Sequence, residues 1–343
     1  MLWPDLRDDT IPFAVGRVDP ADEFIHLLDD TTLDILLSTR DTITDFVEYL
    51  TAKEKCIASG RLGAVAGEEE LLACYLKNLD EDGNHAFVFP PDASAVTILE
   101  GCWDEFFQSP ERRAQLAADR VSYGWDVLIE QFTKHLLGGT QYYASHTKIS
   151  EQEQGLRIMA REPRLIRRML AASLFDLLEA TLPTIRATRI VAPLTPTSPH
   201  YVFLLLPHHS GVPEADYREV RRKLLEQYCR VVKFDRPAAQ DIVGIAMAPH
   251  TGSGNSEDFL HFDARYWTTE LIDETRTLKQ ELIRHGLLGE QTYWEAHGRE
   301  FPTPERPGLV RHTMRPARPK GRDRNAPCPC GSGKKFNKCC ANR

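Results

Sequence analysis

Two short runs, Tyr201 to Leu206 and Ile242 to Ala246, are apolar or glycine at every position. A strand with one wet face alternates polar and apolar residues, whereas a strand without that alternation needs cover on both faces. These runs therefore predict the middle of a sheet that helices cover on both sides. Ile190 to Leu194 reads as a strand pairing with the first run around a Pro-containing turn, and Glu214 to Val231 as a helix between the two runs. Trp267 to Leu288 reads as a closing helix.

The first half of the chain has a different period. Ile43, Phe46, Val47, Leu50 and Ile57 recur at helical spacing behind Thr42 and Asp45, which have the form of a capping box. A second helix follows Gly67, with Glu68, Glu69 and Glu70 suited to the positive end of its dipole. His85 to Phe89 is a short strand candidate. Trp125, Leu128, Ile129, Phe132 and Leu136 mark a helix that Gly138 and Gly139 end. Ser150 and Glu153 open another helix, which Pro163 kinks or restarts before the apolar face from Leu165 to Leu178. Residues 1 to 30 show no clear period beyond a possible strand at Ile11 to Val18. The fold class expected is α+β: a mainly helical part over 1–182 and a mixed α/β part over 183–300.

After residue 300 the composition changes. Prolines 302, 304, 307, 316, 319 and 327 alternate with Arg and Lys, so 301–326 reads as an extended linker before a terminal segment, 327–343. Residues 306–343 hold eleven Lys or Arg against one acid, a balance of +10; with −8 for the whole chain, residues 1–305 carry −18. An acidic body of this kind argues against general nucleic-acid binding by the body itself. No run approaches the roughly 20 apolar residues of a membrane helix, and Met1 to Val15 lacks the pattern of an export signal, so a cytoplasmic protein without membrane insertion is expected.

The eight cysteines fall into two populations. Cys56, Cys74, Cys102 and Cys229 are scattered among apolar neighbours and read as small core residues. Cys328, Cys330, Cys339 and Cys340 crowd together as a Cys-x-Cys pair, an eight-residue spacer and a vicinal pair, which is the donor set for one tetrahedral, structural Zn²⁺. Gly331 and Gly333 allow the tight turn that brings the pairs together.

The string CPCGSGKKFNKCC, 13 of 343 residues, resembles the SEC-C motif first known from the SecA translocation ATPase. It agrees at both glycines, the serine, the lysine pair, the aromatic and the four ligand positions; the last ligand in that family is Cys or His, and here it is Cys340. The body resembles those of uncharacterised bacterial proteins with a SEC-C tail, in the phrases Asp45 to Leu50 and Gly244 to Ala246. The resemblance does not extend to the SecA motor. Gly333-Lys334 is followed by Lys335, and Cys328 stands where a phosphate-binding loop needs its first glycine. The SecA motif contacts an acidic chaperone surface and the ribosome, so the resemblance implies an interaction or adaptor protein. Lys334, Lys335, Phe336 and Lys338 would then dock an acidic protein, a ribosome or nucleic acid. The basic tail has another possible use, attraction to its own acidic body.

An alternative reading is a hydrolase-like enzyme for which the knuckle is a targeting tag. Its candidate catalytic residues are His250, Glu257, Asp258 and His261, in a glycine-rich stretch after a buried strand, where imidazoles and carboxylates can serve as acid and base. His200, His208 and His209 read as turn histidines, and Arg157, Arg161, Arg164 and Arg168 as a solvated helix face. No Glu or Gln is followed two positions on by Lys, as a restriction-type nuclease needs, and no G-x-S-x-G elbow is present.

Overall fold

The computed structural model describes residues 16–17, 24–139, 149–192, 198–209, 211–249, 256–288, 293–294 and 298–302. The chain forms two compact units, residues 1–308 and 309–343, and all described residues belong to the first. The expected knuckle and residues 303–326 of the expected linker lie outside the described residues.

The first unit begins with a small antiparallel pair, β1 (Gly16–Arg17) and β2 (Phe24–Ile25). Helices α1 (Asp30–Thr39) and α2 (Ile43–Ala58) follow. The Thr42 hydroxyl accepts from the Asp45 N–H at 3.1 Å, so the predicted capping box starts α2. Next come β3 (Leu62–Val65), α3 (Glu68–Lys77), β4 (Val96–Ile98) and α4 (Cys102–Phe107), with β3 and β4 paired in parallel. The strand expected at His85 to Phe89 is absent. Only His85 makes a bridge, to Leu79, and Phe87 turns its ring into the helical core beside Tyr75, 5.3 Å between centroids. That core holds Leu36, Tyr49, Leu72, Tyr75, Leu76 and Phe106.

Helices α5 (Pro110–Asp119), α6 (Tyr123–Leu137), α7 (Ile149–Arg161) and α8 (Arg164–Ala180) complete the helical half. Gly138 caps α6 and Gly139 has φ +62°, a backbone angle that favours glycine. Ser150 already lies inside α7 rather than at its cap. Pro163 separates α7 from α8 and stands at the N-terminus of α8, where its missing N–H costs no helical hydrogen bond.

The second half contributes β5 (Ala187–Val191), β6 (His200–Leu205), α9 (Glu214–Asp235), β7 (Asp241–Met247), β8 (Glu257–Asp263), α10 (Thr269–Arg284) and β9 (Tyr293–Trp294). The strands form one five-stranded sheet in the order β8-β7-β6-β5-β9. β6 and β7 run parallel, joined by the α9 crossover, and both lie in the interior of the sheet. Tyr201, Phe203, Val243, Ile245 and Phe259 face one side, packed against Trp125, Phe132, Leu156, Met159 and Leu174 of α6, α7 and α8. Val202, Leu204, Ile242, Ala246 and Leu260 face the other, under Leu224, Leu225, Tyr228 and Val232 of α9 and Leu282 of α10. The helical half and the mixed half therefore share one core. Among the described residues no helix is long and apolar enough to cross a membrane.

Two glycines set the distance of the covering helices. A Cβ at Gly155 on α7 would lie 2.4 Å from Phe259 Cζ, and one at Gly244 on β7 would lie 2.8 Å from Leu225 Cγ. Phe301, expected at the head of the linker, instead packs its ring 5.8 Å from that of His85 and 6.4 Å from that of Phe106.

Candidate functional site

The stretch that carried the candidate catalytic residues folds as strand β8, not as a loop, from Glu257 onward. Alternation along the strand sends Asp258 to the α9 side with Leu260, and His261 to the α7 side with Phe259. Asp258, almost wholly buried, accepts from Arg218 Nη2 at 2.6 Å and Arg221 Nε at 2.7 Å. Those two arginines stand three residues apart on α9 and so share a face. His261 Nε2 lies 2.8 Å from Asp241 Oδ1, across the β7–β8 ladder. Burial pushes the Glu257 carboxyl up, against its backbone hydrogen bond and the nearby Arg221. His250 lies outside the described residues. Glu257, Asp258 and His261 are thus not brought to one place: a strand's period of two separates the last two, and both are already paired.

The histidines near β6 also part company. His200 opens the strand and is buried, and burial together with the cations Arg236 and Lys233 pushes it down to about 4. The ring of His208 stacks on Tyr217, 4.4 Å between centroids, and its Nε2 sits 2.8 Å from the Val212 carbonyl.

The expected solvated arginine face is only partly solvated. Arg157 pairs with Glu153 on the surface, but Arg164 Nε donates to Asp41 at 2.8 Å and its Nη1 to Asp126 at 2.7 Å. Arg168 Nη1 donates to Asp119 at 3.0 Å, and Arg167, which the sequence reading passed over, pairs with Asp126 at 2.6 Å. These carboxylates lie 38 to 123 residues before their partners, so no local spacing announces the pairs. The arginines tie α8 to α6 and to the entry of α2.

The described residues do contain a cleft, of about 760 Å³, between α2 and the corner where α7 meets α8. Arg40, Asp45 and Glu48 line it from the α2 side, Arg161 and Glu162 from the α7 side, with His85 and Glu300 also present. Arg40 is held by Asp45 at 3.0 Å, and Gln115 donates to Glu300 at 2.8 Å. Burial opposes ionisation of Glu300, yet neighbouring His85, Arg40 and Gln115 outweigh it and hold the carboxyl down to about 2. Glu162 behaves in the opposite sense. Burial pushes it up to about 7, although Tyr201 donates to its Oε1 at 2.7 Å and Arg167 is nearby. In sequence Glu162 is one glutamate before a proline, with nothing to distinguish it.

Of the four body cysteines, Cys56 and Cys229 are buried and Cys74 and Cys102 half-buried. Burial pushes the Cys56 thiol up to about 11 and raises Cys74 and Cys229 as well, so these body thiols stay protonated and make poor ligands. Among the described residues no group of three or more His, Cys, Asp or Glu is placed to hold a metal ion. The four clustered cysteines, 328, 330, 339 and 340, lie outside the described residues. The family model described as the SEC-C motif matches residues 324–342 and takes in all four. The chain carries a SEC-C motif. Motifs of this type bind zinc, and Lys334, Lys335, Phe336 and Lys338 fall within the matched stretch. No curated protein and no solved structure matches the chain.

Proposed function

We propose that this is a zinc-binding adaptor: the SEC-C motif closes Cys328, Cys330, Cys339 and Cys340 around one structural Zn²⁺ and docks the chain on an acidic protein surface. The observation that carries the reading is the match over 324–342 with its complete set of four thiols. A segment this short has no hydrophobic core, so metal binding supplies its folding free energy, about 10 to 16 kcal/mol for structural zinc peptides. Four thiolates around Zn²⁺ leave the site near −2, which lowers the tail from +10 to about +8 and keeps it strongly basic. Lys334, Lys335 and Lys338 then present cations beside the apolar Phe336, the combination that suits a carboxylate-rich surface with an apolar centre. The hydrolase-like alternative gains no support, because Asp258 and His261 occupy opposite sheet faces.

Elemental analysis of the purified full chain tests the metal, with one zinc per chain expected and none in the Cys339→Ser, Cys340→Ser double variant. Absence of metal, with the four thiols freely titratable under native reducing conditions, overturns the reading. Affinity capture with the same pair of proteins tests docking. An acidic protein retained by the intact chain and lost by the variant, without sensitivity to ribonuclease, supports it. Ribosomal or nucleic-acid capture abolished by ribonuclease would assign the motif to a different class of partner.

A further inference from the structure

We infer that the cleft between α2 and the α7–α8 corner binds a single organic ammonium group carried on a short apolar chain. Its volume, about 760 Å³, suits a small ligand, and Val47, Ala52, Ile158, Leu165, Ile166 and Pro199 supply apolar walls. In this cleft stands Glu162, only 8% exposed, with the Tyr201 hydroxyl on Oε1; the nearby cation, Arg167, spends its guanidinium on Asp126 and on the backbone carbonyls of Glu162 and Ala160 rather than on the Glu162 carboxyl. A buried carboxylate whose nearby cation is committed elsewhere is incompletely compensated, and the deficit is met either by a proton or by a cation brought from outside. An ammonium group meets it; a hydroxyl or a carboxylate does not. Lys55 and Arg161, both exposed, also line the cleft and repel a polycation, so one positive charge on an apolar chain fits better than a polyamine. A free alkylamine and a lysine side chain of another protein share this chemistry.

Binding should be linked to a proton. Tyr201 on β6 and Arg167 on α8 face the Glu162 carboxyl, Asp45 and Glu48 line the cleft from α2, and Arg161 precedes it on α7. With the carboxyl pushed up to about 7, an ammonium ligand must displace its proton at lower pH. Affinity therefore falls by up to about tenfold per pH unit below that value and levels off above it.

Calorimetric titration of the full chain with hexylamine, hexanol, hexanoate and a capped Gly-Lys-Gly tripeptide tests the inference. Saturable one-to-one binding of hexylamine is expected, with hexanol weak and hexanoate silent. Tripeptide binding tighter than that of hexylamine would point to a lysine side chain as the source, and weaker binding to a free amine. Glu162→Gln should lose about tenfold or more in affinity and all of the pH dependence. Thr51→Trp, on an exposed turn of α2, should block the cleft without touching Glu162, so a test survives if the glutamine variant folds poorly. Glu219→Gln, on the exposed face of α9, is the control for net charge and should bind as the parent does. Absence of saturable binding, equal affinity for hexanoate, or an unchanged Glu162→Gln variant would overturn the inference.

Discussion

In the sheet, β6 and β7 bury every residue from Tyr201 to Leu205 and from Ile242 to Met247 with no charge among them. In the helical layer, the buried sides of α2 and α3 include Lys53 and Glu68, in contact at 2.5 Å, and Asp45 against Arg40. Tyr49 adds its hydroxyl to Glu68 at 2.5 Å, and Glu70 accepts from the N–H groups of Gly101 and Trp103 at the start of α4. Apolar burial is non-directional and tolerates approximate fit, whereas a buried charge is stabilising only while its specific partner stays in place. The interior strands β6 and β7 and the helical layer should therefore fail in different ways.

The largest expected effect is in the helical layer. Lys53→Met leaves Glu68 buried without its cation and should cost about 3 to 5 kcal/mol in urea denaturation. Adding Glu68→Leu should recover part of that loss; a single variant costing under about 1 kcal/mol would erase the contrast between the layers. In the sheet layer, Gly155→Ala places a methyl group against Phe259 and His261. Overpacking of this kind costs about 1 to 3 kcal/mol, which exceeds the gain of up to about 1 kcal/mol from removing a helix glycine. A melting temperature equal to the parent's would show that α7 can rise off the sheet. The smallest effect concerns His200, the titratable group at the start of β6. Its folded value, about 4, lies below its ordinary 6.5, so its contribution is present above pH 6.5 and is lost as pH falls through 4. By pH 5.5 the loss is about 1 kcal/mol, and His200→Leu should flatten that part of the thermal stability curve.

The same contrast explains what could be read from the sequence. The interior strands, the Thr42 cap, the Gly138–Gly139 stop and the break at Pro163 follow from apolar runs and from backbone chemistry, which are local properties. Strand β8 was hidden because Glu257, Asp258, His261 and Asp263 interrupt its apolar residues, and the partners of Asp258 and His261, Arg218, Arg221 and Asp241, lie at a distance along the chain. His85 to Phe89 has a strand's composition, yet Phe87 is claimed by the aromatic cluster of the helices. Glu162 had no legible signal, since its character comes from a tyrosine 39 residues away and from burial. The SEC-C motif was legible because it is carried by residue types and their spacing along a short stretch of chain.

Strand β8 closes one end of the sheet order, so among the described residues its outer hydrogen-bonding edge has no strand beside it within the sheet. An unpaired edge invites a strand from another chain, and proteins commonly guard such edges with charge, including charge directed inward. Here Glu257 and Asp263 stand at the two ends of the strand, and Asp258 is pinned inward by two arginines. A neighbouring molecule aligning along β8 would have to accommodate those carboxylates. Glu257 and Asp258, read in sequence as candidate chemistry, thus lie on the strand at the end of the sheet.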